Sequence, residues 1–345
     1  MVLHDINATS KKVGIRLTEL FARVHHVSLK ANCLHPPHPL MKKKIQIIEV
    51  GPRDGLQNEK TSVPTAAKLQ FIKDLSHAGL RRIEATSFVR ADRIPQLADA
   101  RELYRSLRHE QQVDEALSQT TFSALVPNLK GMQTALDCNV QEVAVFTAGS
   151  DAFTQKNIGC SVSESFDRFA DVIRLAGENA IPVRGYVSTV IECPYAGPVD
   201  PQRVVDVCKR LLDIGCFEIS LGETIGVAVP DDLSRLLDLL IPHVPVDRLA
   251  GHYHDTRGTA LSLVFRSLEY GMQRFDSSAG GLGGCPYART AAGNLATEDL
   301  IYALHRSGYE TGVDLDAVIE ASRKLAETIQ KMPSSRVYLS TEKKL

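Results

Sequence analysis

From residue 45 onward the chain alternates short β-rich apolar runs with longer stretches of helical periodicity, and this alternation restricts the fold more than any other feature. The runs are 45–50, 82–88, 121–126, 142–147, 183–190, 217–221, 249–254 and 274–278. Between them lie amphipathic stretches such as 65–78, 95–108, 163–179, 201–214 and 233–241. Strand–helix alternation implies a parallel sheet, and eight repeats imply an α/β protein built as a closed (β/α)8 TIM barrel. A doubly wound open sheet is the competing architecture. It usually needs a glycine-rich phosphate turn after the first strand, and Gly51-Pro52-Arg53-Asp54-Gly55 is not G-x-G-x-x-G. Helical patterns at 297–307 and 315–332 predict a closing helix and a short C-terminal helical appendage. The expected division is an N-terminal extension at 1–40, a barrel at 41–310 and an appendage and tail at 311–345.

Bulk properties exclude several function classes. A formal net charge of −1 among 345 residues, with no dense basic stripe, argues against nucleic acid as the partner. No 18-residue apolar stretch occurs, so no membrane span is expected. The seven cysteines are scattered, without a C-x-x-C pair, which fits free thiols in a reducing compartment. Residues 1–40 carry Lys11, Lys12, Arg16, Arg23 and Lys30 against Asp5 and Glu19, and end in a His/Pro cluster. They read as a disordered extension or an organelle-targeting presequence. A cytoplasmic, bacterial-type location is expected in the first case and the mitochondrial matrix in the second. Lys343-Lys344-Leu345 is a loose echo of a peroxisomal signal, and chance lysines at a solvated tail explain it as well.

In a barrel of this kind chemistry collects at the C-terminal ends of the strands. His252-Tyr253-His254 closes the seventh run, and side chains at i and i+2 of a strand share a face, so the two imidazoles project together. Such a pair with oxygen donors nearby makes a divalent-cation site; structural packing is the plain alternative. Asp54 follows the first run and could be a turn residue or helix cap. Joined with His252, His254 and Asn294, it completes an oxygen–nitrogen set that suits Mg²⁺ or Mn²⁺. Arg53 would place a fixed cation beside it, fit for an oxyanion or enolate. Glu84, Tyr186, Glu223 and Thr224 fall at the same end of their strands. Gly280-Gly281-Leu282-Gly283-Gly284-Cys285 has four glycines in five positions, which suits a closing lid that brings Cys285 in as a proton donor or acceptor.

EVGPRDGLQNEK (49–60), IEATSFV (83–89), SLGETIGV (220–227), HYHDT (252–256), GGLGGCPY (280–287) and AAGNLATEDL (291–300) together resemble the 3-hydroxy-3-methylglutaryl-CoA lyase family. The likeness runs in order over 45–330. It implies cleavage of 3-hydroxy-3-methylglutaryl-CoA to acetyl-CoA and acetoacetate, as in leucine catabolism, on an acyl-CoA thioester substrate. Metal ligation by Asp54, His252, His254 and Asn294 is implied, with Arg53 and Cys285 catalytic and Glu84 holding Arg53 or a water. His252 or Asp54 would take the hydroxyl proton. Tyr186 and Thr224 are expected to touch substrate with Arg53, and a homodimer or other homo-oligomer is expected.

The chain departs from the family in places. Glu223 stands where Asp is usual, Tyr253 and Arg257 where Cys and Tyr are frequent, and 188–192 is bulkier and more acidic. These departures leave open a related tertiary 3-hydroxyacyl-CoA as substrate. A condensing acyltransferase of the same superfamily usually carries a further domain. A biotin-dependent carboxyltransferase needs a modified lysine, and the run 142–147 has none. A catalytically silent metal-binding scaffold is the reading from outside enzymology.

Overall fold

The computed structural model describes residues 43–283 and 293–341. The N-terminal extension, Cys285 with the rest of 284–292, and the Lys343-Lys344-Leu345 tail lie outside the described residues. Eight strands form one closed parallel barrel: β1 (Gln46–Glu49), β2 (Arg82–Ser87), β3 (Thr121–Leu125), β4 (Glu142–Ala148), β5 (Val183–Ser188), β6 (Glu218–Glu223), β7 (Leu249–Tyr253) and β8 (Arg274–Ser277). Each pairs with its neighbour in chain order, and β8 pairs with β1 from Gln46↔Arg274 to Glu49↔Ser277, which shuts the barrel and rules out the open sheet.

The principal helices are α1 (Thr65–His77), α2 (Ala100–Glu110), α3 (Leu129–Leu136), α4 (Val162–Glu178), α5 (Pro201–Asp213), α6 (Pro230–Leu240), α7 (Ala260–Glu269), α8 (Thr297–Arg306), α9 (Leu315–Ile329) and α10 (Arg336–Thr341). Their local chemistry explains where they start. Ser161 and Glu164 form a reciprocal capping box before α4. Asp200 accepts the Gln202 N–H and Pro201 occupies the first position of α5, where its missing donor costs nothing. In α2, Leu103, Tyr104 and Leu107 bury one stripe at i, i+1 and i+4 spacing, which packs on the barrel. The appendage helix α9 lies along α1, with Val318, Ala321, Leu325 and Ile329 buried.

Two strand ends differ from expectation. The sixth strand runs on through Glu223, which is therefore its last residue rather than the start of the following loop. The fifth stops at Ser188, because Thr189 adopts φ 54, a left-handed conformation that a β-branched residue cannot carry within a strand. The five described cysteines, Cys138, Cys160, Cys193, Cys208 and Cys216, are free and buried, as small apolar packing residues.

Ionisable residues fill the barrel interior. Arg82 reaches Glu142 at 2.7 Å and Glu218 at 2.9 Å, and Arg184 reaches Glu218 and Asp276, each at 2.7 Å. Opposite charges alternate along this chain, so each is compensated; an unpaired charge at such depth would cost several kcal/mol. Glu49, at the end of β1, accepts the N–H groups of Gly51 and Ala279 and the Thr297 hydroxyl, and so sutures β1 to the segment after β8. Burial pushes its carboxyl up to about 8, against the lowering by these donors. An acid raised in the folded state stabilises below its unfolded pKa, and that contribution is lost as pH climbs through the folded value. The thermal midpoint should therefore fall between about pH 4.5 and 8, and Glu49→Gln should flatten that slope in a melting series. An unchanged slope in the variant contradicts the assignment.

Candidate active site

The turn after β1 determines where Arg53 and Asp54 point. Gly51–Gly55 forms a π-helical turn, closed by Gly55 N to Val50 O at 3.2 Å and Leu56 N to Gly51 O at 2.9 Å. Such turns are rare and concentrate at functional sites. The glycines at its ends are steric requirements: a Cβ on Gly51 would lie 2.6 Å from Glu49 Oε1, and one on Gly55 2.7 Å from Ser278 Oγ. Asp54 caps no helix. Its Oδ1 accepts from Arg53 Nη1 at 2.6 Å and Gln57 Nε2 at 2.9 Å, and its Oδ2 accepts from Asn294 Nδ2 at 2.8 Å. Although burial raises its carboxyl, Arg53, His252 and the Asn294 bond together hold it below the ordinary carboxylate range.

Arg53 is clamped from the other side as well. Glu84, buried in β2, takes its Nε–H at 2.6 Å, and the guanidinium lies 5.5 Å from the Tyr186 ring centroid. Two carboxyl groups thus flank one guanidinium. Glu84 Oε1 is buried with no hydrogen-bond partner among the described residues.

His252 and His254 do project to one face, with ring centroids 5.4 Å apart and planes inclined by 50° rather than parallel. One ligating atom each from Asp54, His252 and His254 all lie within 4.8 Å of one another. The two rings have different environments. His252 Nδ1 is 3.1 Å from Asp276 Oδ2, and this partner with Asp54 outweighs burial and raises its pKa. Burial, then His252, pushes His254 down to about 4, and its Nδ1 is buried with no hydrogen-bond partner among the described residues. An uncharged imidazole with an uncommitted nitrogen is what a cation requires. Donor set and orphaned nitrogen therefore fit a divalent ion.

Asn294 reaches the cluster through Asp54. As placed, its amide N–H₂ faces inward, donating to Asp54 and to the Leu282 carbonyl at 3.2 Å, so its oxygen points elsewhere. Tyr186 is buried beside Arg53 and His252, its hydroxyl accepting from Arg184 at 2.8 Å. The Thr224 hydroxyl is committed to the backbone: it accepts the Thr189 N–H at 2.8 Å and so supports the left-handed Thr189. Of the family departures, Tyr253 turns outward into the helix layer, 2.7 Å from Ser267 Oγ. Arg257 clamps the Ile225 and Gly226 carbonyls, and Glu223 accepts from Val227 N with Oε2 buried and unpartnered. Asp276, Arg184 and Ser220 support His252 and Tyr186 but were not singled out from the sequence. The available signal was an ionisable residue inside a buried strand, Phe275-Asp276-Ser277.

A closed parallel barrel with carboxylate, imidazole and guanidinium groups converging at the C-terminal strand ends defines a (β/α)8-barrel enzyme. The HMGL-like family model matches residues 44–325, and the chain belongs to that family. A 3-hydroxy-3-isohexenylglutaryl-CoA/hydroxy-methylglutaryl-CoA lyase of Pseudomonas aeruginosa is 46% identical over 296 residues, 86% of this chain and 96% of that protein. The mitochondrial hydroxymethylglutaryl-CoA lyase of Bos taurus is 44% identical over 334 residues, 97% of this chain and 99% of its own. A crystal structure of hydroxymethylglutaryl-CoA lyase from Pseudomonas aeruginosa has a TM-score of 0.82 at 45% identity, covering 87% and 97% of the two chains.

Two measurements test the cluster. His254→Ala should lose stoichiometric Mn²⁺ binding in an electron paramagnetic resonance titration; full retention means the donor set is wrong. Because a protonated imidazole cannot ligate and the His252 pKa is raised, affinity should fall as pH drops through the neutral range. A flat profile there removes His252 from the set.

Proposed function

We propose that the chain is a divalent-cation-dependent carbon–carbon lyase that splits 3-hydroxy-3-methylglutaryl-CoA into acetyl-CoA and acetoacetate. The observation that carries this reading is the meeting of Asp54, His252 and His254 beside a clamped Arg53. Family membership and relatives named as such lyases at 44–46% identity support it. Asp54, His252 and His254 would hold Mg²⁺ or Mn²⁺, with Asn294 as a fourth ligand once its amide turns over. The ion would supply positive charge for the substrate's hydroxyl and carbonyl oxygens.

The chain's own residues do the rest. Arg53 cannot swing away, because Glu84 and Asp54 hold it, so its remaining N–H groups are pre-aimed at a developing oxyanion. The tertiary hydroxyl proton passes to Asp54; His252, the alternative base, would have to leave the cation to accept it, because its other nitrogen is committed to Asp276. The C2–C3 bond then breaks, its electron pair entering the thioester as the enolate of acetyl-CoA, while the hydroxyl carbon becomes the ketone of acetoacetate. Cys285 gives a proton to the enolate carbon, and the proton held by the base then passes through solvent to restore the thiol. Tyr186 walls the site beside Arg53, and Thr224 acts through the loop it braces.

Purified protein with Mg²⁺ or Mn²⁺ and a thiol reductant should release acetoacetate from this thioester. No release removes the substrate assignment. A related tertiary 3-hydroxyacyl-CoA is the second reading, favoured by the two acyl groups in the name of the Pseudomonas aeruginosa relative; a panel of such thioesters assayed for acetyl-CoA separates the two. Cys285→Ala should slow turnover about 10²–10⁴-fold with Mn²⁺ affinity unchanged, as for a lost proton donor. Loss of Mn²⁺ in that variant would mean the thiol's role is different.

A further inference from the structure

Asp276 takes no part in the bond changes just described, yet donors from three residues converge on it. Arg184 gives Nη2 to Oδ1 at 2.7 Å and Nη1 to Oδ2 at 3.1 Å, and Ser220 Oγ gives a third bond to Oδ2 at 2.9 Å. His252 Nδ1 completes the set at 3.1 Å from Oδ2. Register explains the meeting: Asp276 and His252 are direct cross-strand partners on β8 and β7. Arg184 is only 1% exposed and is itself held by Glu218 through Nε at 2.7 Å. Glu218 is gripped from the far end by Arg82 at 2.9 Å and Arg274 at 3.2 Å. The buried charge chain therefore ends in a carboxylate that has nowhere to turn.

Arginine can only donate, so an ionised Asp276 is the acceptor throughout, and the proton between it and His252 belongs to Nδ1. A neutral imidazole carries one N–H, which leaves Nε2 bare, 4.0 Å from Asp54 Oδ2. Among the described residues no carboxylate plays this part for His254. We propose that Asp276, immobilised by Arg184 and Ser220, is a positioning residue that locks His252 in the Nδ1–H tautomer and so presents Nε2 as a lone-pair donor to the cation. Only the destination of that lone pair rests on the proposed function; the tautomer does not.

The test is ¹⁵N-histidine NMR on the full chain without metal, at a pH high enough for His252 to be neutral, with its signals assigned by their loss in His252→Asn. The wild type should show His252 protonated at Nδ1 and bare at Nε2. Asp276→Ala should move the proton to Nε2 or mix the tautomers, and should weaken Mn²⁺ binding about 10–100-fold, the usual cost of losing such a partner. Ser220→Ala, with Arg184 still in place, should keep the wild-type tautomer. An Nε2–H tautomer in the wild type overturns the proposal, and that spectrum decides even if Asp276→Ala fails to fold. So does an Asp276→Ala protein with unchanged tautomer and Mn²⁺ affinity. A wild type that shows the Nδ1–H tautomer but binds no Mn²⁺ would keep the positioning role and remove the cation site instead.

Discussion

The pairing of β1 with β8 is the contact on which the site depends. It joins the first and last strands over four residue pairs, from Gln46↔Arg274 to Glu49↔Ser277. Residues 54 and 294, 240 positions apart in the chain, thereby come within 2.8 Å. Glu49 secures the junction by holding backbone on both sides of it, and Gly51 and Gly55 allow the π-turn to pass close beneath Ser278. Without closure there would be half a cluster on each edge of an open sheet.

The interior that supports this mouth is charged rather than oily. A run of arginines and acids crosses the barrel from Arg82 and Glu142 through Glu218 and Arg184 to Asp276. Such chains are weak sources of stability, because desolvation offsets most of the Coulomb attraction. Their use here is directional. Each arginine is fixed by two acids, so the last carboxylate has a set orientation when it meets His252. Arg53 is treated in the same way by Glu84 and Asp54. Rigid placement of charge is what electrostatic preorganisation requires.

Much of this was legible in the chain. Short β-rich runs alternating with helical periodicity marked all eight strands to within a few residues. His252 and His254 were legible from the two-residue period of a strand. Other features were hidden for physical reasons. The π-turn at Gly51–Gly55 depends on contacts with Ser278 and Leu282, far away in sequence. The fifth strand's early end reflects a left-handed Thr189, sustained by a hydroxyl at Thr224 that local propensity cannot foresee. Asp276 offers in sequence only an ionisable residue within a strand, and its meaning appears only when β7 and β8 lie side by side. Tyr253 read as a departure near the site, and alternation along the strand had already pointed it to the other face.

The most direct test of the central claim is anomalous diffraction from crystals of the full chain soaked in Mn²⁺. One peak within coordinating distance of Asp54, His252 Nε2 and His254 is predicted, with the Asn294 oxygen turned toward it. A map with no peak between those three side chains, or with manganese bound elsewhere in the barrel, would contradict the account.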